Sequence, residues 1–331
     1  MTLIVGIIAL ALLFDFINGM NDAANSVATI VSTRVLSPRL AVAWAAFFNF
    51  AAAFLFGVGV ATTIGKGIIE TSVVSPFMLL ATLVGAIIWS YACTHMGIPI
   101  SVSHALVGGL VGTALVKSGP SALIMPGLLK VLAFIVLAPF IGLVLGFGIM
   151  TVVYWVCRNK APRTIDHIFR RLQLLSASLY SLGHGTNDAQ KTMGIIAILL
   201  FSTGHLGETF YVPTWVIISC YLAIALGTLT GGWRVINTLG MKMTKLKPVH
   251  GFSAETAAAG SILISSALGV PVSTTHTITG AIIGVGATTR FSAIRWGLAY
   301  KIVWAWILTI PGSAAVSALV WGLLKAFGAA S

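Results

Sequence analysis

Acidic side chains are almost missing from this chain: its 331 residues hold seven Asp and Glu together, and all charged types amount to 8%. Soluble domains carry about 25%, so an ordinary water-facing surface is excluded. No charge-rich stretch is long enough to form a separate soluble domain. Cysteine is scarce as well. Cys93, Cys157 and Cys220 stand far apart, without metal or redox spacing, and read as buried packing residues. There is no H-E-x-x-H and no ordered Ser, His and Asp set, which removes the sequence support for an intramembrane enzyme. No Lys or Arg precedes Arg34. The positive start of a cleavable signal peptide is therefore lacking, and the first segment is expected to be retained.

What is abundant is apolar sequence, 58% of the chain, with a mean hydropathy of +1.02. A membrane-spanning helix needs about 20 such residues. Apolar segments fall near residues 2–31, 39–64, 72–96, 99–116, 127–157, 172–203, 213–233, 252–268, 272–289 and 298–327. The net charge of +12 would suggest nucleic acid in a soluble protein. Here Lys and Arg read as topology signals, and no nucleic-acid partner is expected. They cluster at Arg34/Arg39, Arg158 to Arg171, Arg234 to Lys247 and Arg290/Arg295. With all four clusters cytoplasmic, both termini lie outside. Each half then has an odd number of crossings, so similar halves would sit in opposite orientations.

The halves are similar. "GMNDAAN" at Gly19–Asn25 pairs with "GTNDAQK" at Gly185–Lys191, and "GIPISVSHALVGGLVG" at Gly97–Gly112 pairs with "GVPVSTTHTITGAIIG" at Gly269–Gly284. Pro139 and Pro311 keep the register of the second pair. Two motif pairs in one order predict an all-α integral membrane protein of the inverted-repeat transporter type. The expected organisation is a first repeat over 1–157, a short cytoplasmic linker at 158–171 and a second repeat over 172–331. The pairs 72–96/99–116 and 252–268/272–289 either cross fully or form re-entrant hairpins with tips at Pro99 and Pro271. The crossing count per half stays odd in both cases.

A carboxylate at membrane depth costs at least about 2.5 kcal/mol, so Asp22 and Asp188 need a cation, a proton or a water-filled cavity. Asn21 and Asn187 add amide oxygens, and Gly19 and Gly185 would let the helix unwind and expose carbonyls. That set suits Na⁺ at Asp22 and Asp188, or a titrating carboxylate for H⁺. In the other motif, Pro99 and Pro271 suit the first turn of a helix. The residues that follow offer free N–H groups and hydroxyls: Ser101, Val102 and Ser103 in one repeat, Ser273, Thr274 and Thr275 in the other. Two such helix starts from opposite halves form an anion site. Secondary candidates are Asn25, Gln190, Lys191, His104 and His276. Lys191 reads as the partner of a carboxylate, and the histidines as shaping the hairpins through backbone carbonyls. Glu255, whose counterpart is Leu83, is either a further cation or proton site or a helix-interface hydrogen bond. Asp15, a turn before the first motif, shares the same neighbourhood. Asn49 reads as a packing polar residue.

These motifs resemble the duplicated G-x-N-D signature and the paired hairpin-tip motifs of the inorganic phosphate transporter (Pit) family, over almost the whole chain. The resemblance implies a multi-pass secondary transporter of the cell membrane, not an enzyme, without a cofactor. It would import inorganic phosphate with Na⁺ or H⁺, usually as a homodimer, with phosphate between the two hairpin tips. It also assigns Asn21, Asp22, Asn187 and Asp188 to ions and Ser101, Ser103, Ser273, Thr274 and Thr275 to substrate. The linker is short where many relatives insert a large cytoplasmic segment, and Asn49 stands where some relatives, especially eukaryotic ones, carry Glu. A sulfate or other oxyanion permease is the alternative on the same scaffold. A cation channel or antiporter is disfavoured by the hydroxyl-rich helix starts.

Overall fold

Prolines mark where helices begin. Pro38, Pro76, Pro126, Pro162 and Pro248 each sit in a first turn, where the missing N–H has no helical acceptor to lose. The computed structural model describes residues 1–329 other than Phe56, Lys242 and Thr244. The described residues form twelve α-helices and no strand. In the first half these are α1 (Thr2–Ser32), α2 (Pro38–Ala51), α3 (Gly59–Lys66), α4 (Pro76–Met96), α5 (Val102–Ser118) and α6 (Met125–Cys157). The second half repeats them as α7 (Pro162–Ser202), α8 (Thr214–Thr230), α9 (Trp233–Ile236), α10 (Pro248–Ala267), α11 (Thr274–Thr289) and α12 (Trp296–Ala326). The order of long, broken, hairpin and long elements is the same in both. Two boundaries differ from the hydropathy pattern. The segment read at 39–64 is two helices, α2 and α3. The basic run at 158–171 is largely the first turns of α7, which starts at Pro162. On length and composition, α1, α4, α6 and α12 could each cross a bilayer unaided.

The hairpins α4–α5 and α10–α11 have matching tips. Gly97 (φ 72°) and Gly269 (φ 65°) end α4 and α10 in the left-handed region, which glycine enters without a Cβ clash. Ile98 N–H bonds the Cys93 carbonyl and Val270 N–H the Ser265 carbonyl, closing both helices by the same C-terminal motif. Ser101 and Ser273 then cap α5 and α11, accepting from the His104 and His276 N–H groups at 3.3 and 3.2 Å. At the open end of the first hairpin, Lys117 Nζ reaches the Val73 carbonyl (2.7 Å) and Ser75 Oγ (2.8 Å).

Both tips end in the interior: Ser101 is 2% and Ser273 1% exposed. The second tip meets α1 and α7 at Asp22 and Asp188, and the first reaches the same place through Ser103, which accepts from Lys191, and the Ile100 carbonyl, which faces Thr275. Along α1, Asp22 lies about 15 Å from the Ser32 end; along α7, Asp188 lies about 21 Å from the Ser202 end. That is mid-depth in a bilayer core of about 30 Å, so each hairpin turns back there. The halves interlock around them. α5 packs on α12, α11 on α6, α1 on α8 and α7 on α2. Gly108 and Gly112 bring α5 against the backbone of Ile310 and Ala314, while Gly280 and Gly284 bring α11 against Pro139 and Leu143. The basic clusters converge on one face. Arg170 donates to the Arg34 carbonyl at 2.6 Å, and Asp166, Lys245, Lys247, Arg290 and Arg295 line one cavity of about 650 Å³.

Candidate functional site

The glycines of the repeated motif do something other than unwind the helix. α1 and α7 run unbroken through it. Gly19 lets α1 lie on the α8 backbone at Ile224 and Thr228, and Gly185 lets α7 lie on Asn49 of α2. A side chain there would hold the helices apart. The close approach seats Asp22 and Asp188, both buried, opposite each other beneath the hairpin tips.

Their Oδ2 atoms share one environment. Thr274 Oγ1, which has one proton to give, lies 3.4 Å from Asp22 Oδ2 and 3.2 Å from Asp188 Oδ2. His184 Nε2 lies 3.8 and 3.4 Å from the same two atoms. Asn49 Nδ2 donates to Thr228 Oγ1 at 3.0 Å, so its Oδ1 faces His184 Nδ1 at 3.1 Å and takes that ring proton. Asp22, His184 and Asp188 together are spaced to hold a metal ion or to share a proton. The Oδ1 atoms point elsewhere. Lys191 Nζ donates to Asp188 Oδ1 (2.5 Å), Ser103 Oγ (2.5 Å) and the Val272 carbonyl (2.8 Å). Thr275 Oγ1 lies 3.3 Å from Asp22 Oδ1 and 3.1 Å from the Ile100 carbonyl, and it accepts from Asn25 Nδ2 at 2.8 Å.

Of the hydroxyls assigned by sequence to the anion, Ser103, Thr274 and Thr275 thus face the carboxylates and the lysine. Ser101 and Ser273 cap the two helices. The N–H groups of Val102, Ser103, Thr274 and Thr275 lie in first turns, where a helix offers no acceptor. The asparagines diverge. Asn187 clamps the second tip, donating to Ser266 Oγ (2.9 Å) and the Val270 carbonyl (3.3 Å) and accepting from Val272 N–H (3.2 Å). Asn21 donates to Thr94 Oγ1 at 2.6 Å, while its Oδ1 is buried without a partner among the described residues.

Several candidates lie apart. Gln190 accepts from the Val60 and Ala61 N–H groups and donates to the Gly57 carbonyl; it caps α3 and does not reach the carboxylates. Glu255 accepts from Thr29 (2.5 Å), Gln173 (2.9 Å) and Ser176 (2.5 Å). It sits one heptad along α1 from Asp22, about 10 Å away on the side of the basic face. His276 Nδ1 lies 3.3 Å from the Ile135 carbonyl, which Pro139 cannot engage for lack of an N–H. The His104 ring packs edge-on against His276, centroids 4.6 Å apart. Both oxygens of Asp15 are buried without partners among the described residues. His184 was the omission of the sequence reading. It stands one residue before the G-x-N-D string, opposite Asn18 in the other repeat, and that mismatch was the signal.

The model of the phosphate transporter family matches residues 18–164 and again 156–317. The chain belongs to the phosphate transporter family. It is similar to a protein of Rhizobium meliloti described as a probable low-affinity inorganic phosphate transporter, at 59% identity over 96% of this chain and 95% of that protein. A Bacillus subtilis protein of the same description is 40% identical over 96% of each chain. A solved structure titled "The sodium-dependent phosphate transporter" superposes with a TM-score of 0.89 at 28% identity, covering 98% of this chain and all of that one. With its long apolar helices, this all-helical inverted repeat is a multi-pass membrane protein of that family.

Proposed function

We propose that the protein is a cation-coupled symporter that imports inorganic phosphate across the cell membrane. The observation that carries this reading is the meeting of two hairpin-tip helix N-termini, one from each half, over a single buried pair of carboxylates. Phosphate binds between the tips, held by the N–H groups of Val102, Ser103, Thr274 and Thr275 and the hydroxyls of Ser101 and Ser273, where helix N-termini favour negative charge. The coupling cation, Na⁺ or H⁺, binds at the Asp22 and Asp188 pair beneath it. Glu255 is a second station for the cation on the side of the basic face. The homodimer is the working unit. The descriptions of the relatives as phosphate transporters, one sodium-dependent, support the anion and the coupling.

The coupling is electrostatic. At an effective dielectric of 20, a negative charge 4 Å from a carboxylate costs about 4 kcal/mol, roughly three decades in affinity. Phosphate therefore enters only when a cation has neutralised the pair, and the cation gains by the same amount. The test is labelled-phosphate uptake into proteoliposomes under an imposed Na⁺ gradient and, separately, an imposed pH gradient. Accumulation above equilibrium under at least one gradient is expected, and purely downhill flux under both would end the reading. Sulfate displacing phosphate at lower concentration would replace the substrate and keep the architecture.

A further inference from the structure

The two Oδ1 environments are the same site built twice. Matching the repeats places Asp188 on Asp22, Ser103 on Thr275, the Val272 carbonyl on the Ile100 carbonyl and Lys191 on Asn25. Each cage thus takes a carboxylate oxygen from a long helix, a hydroxyl from the opposite half's hairpin and the carbonyl just before a tip helix. In the Asp188 cage an ammonium, with three N–H donors and no lone pair, meets three oxygens at 2.5, 2.5 and 2.8 Å. Lys191 is 2% exposed, and its three donors match these three acceptors in number.

The Asp22 cage has the same oxygens and no ammonium. Its one hydroxyl proton, on Thr275, has two acceptors to choose from, Asp22 Oδ1 at 3.3 Å and the Ile100 carbonyl at 3.1 Å. Asn25 spends its amide on Thr275 Oγ1, and its Oδ1 is buried without a partner among the described residues. Carboxylate, carbonyl, amide and hydroxyl oxygens therefore outnumber the protons between them. A surplus of hard oxygens around one negative charge is the donor set of a small monovalent cation.

We propose that Lys191 is a tethered cation filling one of two symmetry-related cation sites, which leaves the Asp22 cage to take the single mobile coupling cation. The proposal rests on the symport reading above and refines its stoichiometry. Two carboxylates and one fixed ammonium leave one negative charge, so one monovalent cation neutralises the pair before phosphate binds. A site with asparagine at both positions takes up two.

The experiment exchanges the two positions in the full-length protein. Phosphate binding is measured against Na⁺ at fixed pH with choline as the replacement ion, and bound ²²Na⁺ is counted independently. Wild type is expected to respond to Na⁺ with a slope near one and to bind at most one Na⁺. Lys191→Asn opens the second cage. Its phosphate affinity in choline should fall ten- to a hundredfold and return with Na⁺ at a slope approaching two, with one Na⁺ more bound than in wild type. Lys191→Met, which can neither donate nor ligate, should lose affinity without rescue. Asn25→Lys supplies a second tether and should make phosphate binding independent of any added cation. That arm stands even where the Lys191 variants fail to fold. Unchanged cation dependence in both Lys191→Asn and Asn25→Lys overturns the proposal, as does equal Na⁺ rescue of the Met variant. A wild type that binds no phosphate defeats the symport reading alone, because the ²²Na⁺ count still reports whether Lys191→Asn gains a site.

Discussion

Asp22 and Asp188 come from equivalent positions of the two repeats, yet only Asp188 has an ammonium against it. Asp188→Asn leaves Lys191 as a buried charge with only neutral oxygens, and removing one partner of a buried pair costs about 3–5 kcal/mol. Asp22→Asn strands no opposite charge. Both variants are expected to lose coupled phosphate uptake. In thermal unfolding of the purified protein, Asp188→Asn should melt well below wild type and Asp22→Asn close to it; equal melting of the two would refute the asymmetry. The carboxylates were legible in the sequence because the motif is duplicated, and Lys191 because a lone cation beside an Asp at membrane depth needs a partner. The duties of Gln190 and Asn187 were not. Their partners, at Gly57 to Ala61 and Ser266 to Val272, are remote in sequence, and no local pattern encodes such contacts. For the same reason, the repeat alone could not separate Ser101 and Ser273, which cap helices, from Ser103 and Thr275, which face the cages.

At the scale of elements, the hairpins depend on glycine for two different reasons. Gly269 needs its left-handed φ of 65° while the nearest atom to an added Cβ is 3.4 Å away, an ordinary contact. Gly269→Ala should cost about 1–2 kcal/mol through backbone strain alone. Gly280 has an ordinary helical backbone, but an added Cβ would run into the Pro139 carbonyl of α6. Gly280→Ala must separate α11 from α6 and should cost more than Gly269→Ala, with overpacking of this kind at about 1–3 kcal/mol or above. Denaturation midpoints of the two variants rank them, and the reverse order would contradict the packing described. The hairpins were visible as paired G-x-P strings, but the choice between full crossing and re-entry was not, since both give the same apolar pattern. It turns on depth, which only the meeting of the two tips beside Asp22 and Asp188 reveals. The split between α2 and α3 was hidden because the sequence on both sides is equally apolar, and hydropathy carries no direction.

For the whole molecule, the meeting of basic clusters on one face and the inverted repeat lead to the expectation that both termini lie on the other. In the sequence, the duplication and the distribution of Lys and Arg point to that arrangement. The interlocking of the halves was not legible there, because α5 on α12 and α11 on α6 are long-range pairings between surfaces of similar small residues. Single cysteines near residue 3 and residue 328, in a background with Cys93, Cys157 and Cys220 replaced, should react with an impermeant maleimide from outside the cell. Cysteines at 160 and 292 should react only from within. Termini labelled from opposite sides would remove the inversion.

Inversion matters because it brings two tips to one place, where the proposed function has one anion shared by both halves. Equilibrium binding of labelled phosphate to the purified protein, at saturating Na⁺ and again at low pH, tests this most directly. The account predicts one phosphate per protomer. Ser101→Ala and Ser273→Ala should each weaken binding by about one to two decades, the worth of one hydrogen bond to a charged group, and the double variant should be non-additive because both residues order the same ligand. Two independent phosphates per protomer, or wild-type affinity in both single variants, would contradict it.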